Sequence, residues 1–170
     1  MAQRSTRLPS GKATLYNFLL NELLASQVVD GYEFWALSPW ITNFALERPY
    51  YVTFGELVVT RHEELHLFDV IRQIAANGGR VRITVGDDAR FHAPLRDLCE
   101  QRSRIDIRVY PRLHAKAYAG HFGAVSGSLN LTGSGVHQNA EIYSYFHDPH
   151  SIAQVRQRCI EHFEQGEPLR

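Results

Sequence analysis

His114 and Lys116 stand two residues apart, and Gly127, Ser128 and Asn130 follow in the same stretch, LHAKAYAGHFGAVSGSLNLT, residues 113–132. These residue types suit a phosphodiester. A lysine supplies fixed positive charge. A serine hydroxyl and an asparagine amide donate hydrogen bonds to anionic oxygens, and a neutral imidazole can attack phosphorus or move a proton near neutral pH. A glycine beside them lets backbone come close to an anion.

The elements that must position these groups read as consecutive strands: residues 113–120 (LHAKAYAG), 122–131 (FGAVSGSLNL) and 140–146 (AEIYSYF), separated by turn residues. Side chains alternate faces along a strand. His114, Lys116 and Tyr118 therefore share one face and Leu113, Ala115, Ala117 and Ala119 the packed one, while Ser126, Ser128 and Asn130 oppose Val125, Gly127, Leu129 and Leu131. If the polar faces coincide on pairing, His114, Lys116, Ser128 and Asn130 converge.

Upstream, the apolar spacing of Leu15, Phe18, Leu19 and Leu23, with Glu22 among them, predicts a helix over 14–24. Residues 32–40 (YEFWALSPW) predict a strand stopped at Ser38-Pro39, and 48–59 stay irregular or a short strand. A helix over 60–79 stops at Gly78-Gly79, a strand follows over 80–86, then a helix starting near Pro94 and a strand over 105–110. Asp148 as N-cap and Pro149 as first helical residue open a closing helix that packs Ile152, Val155, Cys159, Ile160 and Phe163. Helices alternating with strands predict an α/β sandwich with an inner sheet.

The motif residues resemble the phospholipase D superfamily, whose signature runs H-x-K-x4-D-x6-G-S-x-N. His114-Ala115-Lys116 and Gly127-Ser128-Leu129-Asn130 stand in the matching order, and Glu141 in QNAEIY matches an acidic position downstream. The chain departs from the pattern where the family has aspartate, which here is His121, and the gap to Gly127 is one residue short. In the family that aspartate mostly supports the site structurally.

The resemblance implies a phospholipase-D-like fold, a central mixed β-sheet flanked by helices on both faces, with residues 1–170 as a single domain. It implies a metal-independent phosphodiesterase that needs no cofactor, with His114 as nucleophile and a second histidine as general acid. Lys116, Gly127, Ser128 and Asn130 would bind phosphate, and Glu141 would orient an imidazole. One motif copy implies a homodimer through the motif face. Nucleic acid is the implied substrate. The altered motif supports an alternative, a catalytically weak nucleic-acid-binding subunit of a larger bacterial modification, restriction or defence complex.

A third reading comes from His62-Glu63-Glu64-Leu65-His66, an H-E-x-x-H pattern in which two histidines bind zinc and the glutamate activates water. On a helix, Leu65, Leu67, Phe68, Ile71, Ile74 and Ala75 form the apolar side, leaving His62, His66, Asp69 and Gln73 on a face that reads as solvated surface. A pattern this short arises easily among nine histidines, and no third-ligand motif follows it, His92, His114, His121 and His137 being isolated candidates. A surface helix without metal is therefore expected.

The 170 residues, 44% apolar and 21% charged, are those of a globular domain, and 18 basic against 18 acidic residues leave no global field to gather nucleic acid or anionic membrane. Any phosphate site must be local. The chain shows no signal-peptide pattern and no run that spans a bilayer, so a cytoplasmic protein without membrane insertion is expected. Cys99 and Cys159 form no framework and read as reduced thiols. Gly11-Lys12 lacks the first glycine of a Walker loop. Trp40, Tyr50 and Tyr51 could stack on bases, but core or interface is the preferred reading. His137, Gln138 and Asn139 read as a turn.

Overall fold

The computed structural model describes residues 11–48, 54–59, 64–100 and 103–170. Helix α1 (Gly11–Val28) extends beyond its periodic stretch and buries Leu15, Tyr16, Phe18, Leu19 and Leu23. A turn at Gly31, whose φ of 67° suits a residue without Cβ, leads into β1 (Glu33–Leu37). Helix α2 (Leu67–Ala76) ends at Asn77, Gly78 and Gly79 before β2 (Arg80–Val85). A short 3-10 turn precedes α3 (His92–Glu100), which starts before Pro94. Proline fits there because amides of a first helical turn have no intrahelical partner. Strand β3 (Ile105–Val109) follows, then β4 (Ala117–Ala119), β5 (Ala124–Gly127), the five-residue α4 (Gly133–His137), and β6 (Tyr143–Phe146). Helix α5 (Pro149–Gln165) opens as expected, with Asp148 accepting from the Ser151 amide at 2.8 Å, and β7 (Glu167–Pro168) closes the chain.

The seven strands form one mixed sheet in the order β6-β5-β4-β1-β2-β3-β7, with β1, β2 and β3 parallel and the remaining pairs antiparallel. One face carries Phe34, Ala36, Val81, Ile83, Tyr118 and Val125 against α1, α2 and α3. The other carries Trp35, Leu37, Ala117, Ala119 and Ala124 against Ile152, Val155, Cys159 and Phe163 of α5. Burying side chains of this size on both faces contributes about 1.5–3 kcal/mol for each large one. The fold class is the α/β arrangement the sequence implies.

Three expectations change. The first concerns residues 113–120, which are not one strand with a polar face. Tyr118 is 1% exposed in the first core, and the alanines on either side of it pack into the second. The reason is topological: the chain leaving β3 must pass the ends of β2 and β1 to reach β4, about 14 Å at ~4.8 Å per strand. Residues 110–116 make that passage, so only Ala117–Ala119 is left to pair.

The second change concerns the strand over 122–131, which ends at Gly127. The third concerns the helix over 60–79, which begins only at Leu67. His66 is its extended N-cap (φ −113°, ψ 161°), and Asp69 is buried because it accepts the His66 amide at 2.9 Å. The expected solvated face is thus partly a capping interaction. His62 and Glu63 lie outside the described residues, as do Tyr50 and Tyr51. Among the described residues no group of three His, Cys, Asp or Glu is placed to hold a metal ion.

Candidate functional site

Sheet pairing decides where the polar residues meet. Leu37 of β1 lies opposite Ala117, Ala117 opposite Ser126, and Gly127 opposite Tyr143. The chain leaving β1, entering β4, leaving β5 and entering β6 therefore all stand at one edge of the sheet. That edge holds Ser38, Lys116, Ser128, Asn130 and Glu141.

The register also corrects the expected convergence. Ala117 faces the same side as Ser126, so Lys116 and Ser128 would point to opposite faces if both strands continued. They come together only because both strands stop. The last rung is the Gly127 amide donating to the Lys116 carbonyl at 3.3 Å, after which the chain turns out of the sheet. Gly127 is required there, since a Cβ would lie 2.4 Å from the Ile142 oxygen and 2.5 Å from Tyr143 Cα.

Ser128, though exposed, is held by the chain entering β6. Its amide donates to the Ile142 carbonyl (2.9 Å), its Oγ accepts from the Ile142 amide (3.0 Å), and its hydroxyl donates to Glu141 Oε2. Asn139 Nδ2 donates to the other Glu141 oxygen at 3.2 Å. Glu141 thus meets Ser128 and Asn139, and no imidazole among the described residues. Lys116 Nζ donates to the His114 carbonyl at 2.8 Å. Partial burial holds its ammonium below the ordinary lysine range, and the nearby Glu141 carboxylate pulls the other way.

Asn130 is positioned from β1. Ser38 Oγ donates to the Trp40 carbonyl (2.8 Å) and lies 3.4 Å from Asn130 Oδ1. Beneath them the Tyr118 hydroxyl donates to the Leu129 carbonyl at 2.6 Å, fixing the residue between Ser128 and Asn130. Burial pushes that phenol far up, so it remains a donor.

His114 lies exposed at the rim, two residues before Lys116 along the passage from β3. His121 is at the opposite end of β4, its ring edge-on to Phe122 at 4.9 Å, and is not part of this cluster. His137 closes α4, Gln138 and Asn139 turn out of the helix as expected, and the His137 ring bonds the Ala45 carbonyl (3.1 Å) and lies 3.5 Å from Glu47. It braces the scaffold. Trp40 is 41% exposed and tilted against Phe91, with ring centroids 6.2 Å apart.

Ser38, Tyr118 and Asn139 are the contributors that motif spacing did not reveal. Ser38 read only as a strand stop, and its partner is 92 residues away.

A lysine, a hydroxyl, a carboxamide and a carboxylate gather at the edge where the parallel strands end, the place where open α/β sheets hold their ligands. Residues 50–165 match the family model described as cardiolipin synthase, PLD-like domain, and the chain belongs to this phospholipase-D-like family. Among solved structures it is similar to the phospholipase D family member Nuc from Salmonella typhimurium, with a TM-score of 0.58, 13% identity, and 91% and 90% of the two chains covered. NucT from Helicobacter pylori gives a TM-score of 0.60 and 11% identity over 91% of this chain and 93% of that one. TrmBL2, an archaeal chromatin protein described as showing a novel mode of DNA binding, gives 0.56 and 14%, with 88% of this chain on 48% of that one. These likenesses are of fold. No curated protein matches the sequence significantly. No described helix is long and apolar enough to cross a membrane.

Proposed function

We propose that the chain, as one domain over residues 1–170, is a phosphodiesterase that cleaves nucleic acid at a cleft formed by two copies of itself. The observation that carries this reading is the meeting of Lys116, Ser128, Asn130 and Glu141 at one sheet edge beside exposed His114, in a chain with a single motif.

An imidazole nitrogen of His114 attacks phosphorus. A P–N bond forms, the P–O bond to the leaving group breaks, and the same histidine of the second subunit gives its proton to the departing oxygen. Water then attacks the phosphohistidine, loses its proton to that second histidine, and the P–N bond breaks. Lys116 and Asn130 hold the non-bridging oxygens while charge builds on them. Ser128 gives its one hydroxyl proton to Glu141, so it turns to phosphate only when the carboxylate finds another donor. The imidazolium arriving from the second subunit is such a donor, and Glu141 would then orient it. No metal or cofactor enters these steps.

Nucleic acid as substrate is supported by family analogy and by the shared fold of TrmBL2, a DNA-binding chromatin protein. A second reading, a weakly catalytic binding subunit of a larger bacterial modification, restriction or defence complex, is favoured by His121 at the aspartate position and by the net charge of zero.

Wild type and His114→Ala separate the two on DNA, RNA and a chromogenic diester. The enzyme reading expects wild-type cleavage, a loss of roughly 10³-fold or more in the variant, and retained nucleic-acid binding. A wild type that binds nucleic acid and cleaves none of the three substrates leaves the binding subunit.

A further inference from the structure

The end of β4 away from the site is held by charge from two helices. Glu22, on the apolar face of α1, is 0% exposed. Its Oε2 accepts the His121 amide at 2.6 Å and the Tyr32 hydroxyl at 2.9 Å, and its Oε1 accepts the Phe122 amide at 2.9 Å. Arg156 of α5, from the opposite layer, donates to the Gly120 carbonyl through Nη2. The turn closes on itself through the Gly120 amide and the Gly123 carbonyl, 3.0 Å apart. Gly120 leaves room for the carboxylate: a Cβ there would lie 1.9 Å from Glu22 Oε2.

Burying a carboxylate with no basic side chain of the described residues bonded to it is costly, and burial pushes this one up from its ordinary range while the turn amides pull it back. Its partners explain the residue. A three-residue strand has few rungs to fix its own register, and a slip of one residue exchanges the two faces. The turn amides would lose the acceptor that fixes them to α1 if the carboxylate were absent.

We infer that Glu22 is a positioning residue: it clamps the β4–β5 turn and so fixes the register that brings Lys116 to Ser128. The clamp acts from about 13 Å, four residues along a strand, and touches no substrate. His121, where the family pattern has aspartate, contributes only its backbone amide to the carboxylate that α1 supplies. The importance for catalysis rests on the function proposed above, whereas the clamp does not.

In isotope-labelled wild type, scalar couplings across the hydrogen bonds should link the His121 and Phe122 amide nitrogens to the Glu22 side-chain carboxyl carbon. Glu22→Gln should speed exchange of those two amides, and of the Gly127 amide, by about tenfold or more beyond any change at Val81 and Tyr110 in the parallel part of the sheet. Gly120→Ala, which displaces the same carboxylate, should do likewise. In a diester assay Glu22→Gln should lower kcat about tenfold with KM held within about twofold. Missing couplings, or exchange that rises equally everywhere, overturn the clamp whatever the chain does to a diester. A local exchange change with unaltered kcat in an active enzyme overturns its positioning role. A wild type inactive on every diester, with couplings and local exchange as expected, sinks the proposed function and leaves the clamp standing.

Discussion

Lys116 lies between two opposed influences, and their balance is measurable. Burial lowers its pKa and Glu141 raises it. The folded chain therefore releases this proton at a lower pH than the unfolded chain does, so the charged lysine costs stability at neutral pH. That cost is lifted as pH rises through the lowered value and then the ordinary one. For catalysis the consequence is an alkaline limb in kcat/KM with its midpoint below the ~10.4 of free lysine. Glu141→Gln removes the group that supports the ammonium and should move the limb lower still. A pH–rate series on both proteins checks this, and a limb at the ordinary lysine value in both contradicts it. The lysine, histidine, serine and asparagine of the candidate site were legible because those residue types at that spacing form a recognisable set. Ser38 and Asn139 were not, since their roles arise from contacts that spacing does not encode: Ser38 near Asn130 across the sheet, and Asn139 on the far carboxylate oxygen of Glu141.

Among the elements, β5 and β6 meet most tightly where the site begins. A methyl group added at Gly127 would press on backbone atoms of Ile142 and Tyr143, which cannot move without opening the strand pair. Gly127→Ala is expected to cost about 1–3 kcal/mol and to reduce cleavage more than stability alone explains, because Ser128 loses Glu141. Denaturant midpoints and kcat give the two readouts. Gly133→Ala, whose nearest neighbour would be Phe44 Cβ at 3.6 Å, is the mild control. Helix α5 offers another test: burial pushes the Cys159 thiol up to about 12, so a thiol reagent should label it only as fast as the chain opens. The alternation of helices and strands was legible from apolar periodicity and stop signals, down to Asp148 and Pro149 at the start of α5. The limits of β4 and β5 were not. Periodicity cannot show that residues 110–116 are spent crossing two strands, or that polar faces meet beyond the paired segment.

For the whole molecule the open quantity is how many copies make one site. A single motif supplies one nucleophilic imidazole, and the proposed two-step transfer needs a second for the leaving group. The motif edge opens beside β6, the last strand of the sheet, where Ile142 is 84% exposed next to Glu141. If a twofold axis passes that edge, both histidines of a dimer serve one cleft. Mixing equal amounts of wild type and His114→Ala, with time for subunits to exchange, gives wild-type, mixed and variant dimers in the ratio of about 1:2:1 by random pairing. A mixed dimer has one histidine where two are required, so the mixture should retain about a quarter of the activity of the same total amount of wild type. Independent sites would retain about half, because each wild-type protomer would act alone. Sedimentation of the same mixture reports whether subunits pair: a dimeric mass is expected, and retention of one half with a monomeric mass would place the whole reaction within a single chain.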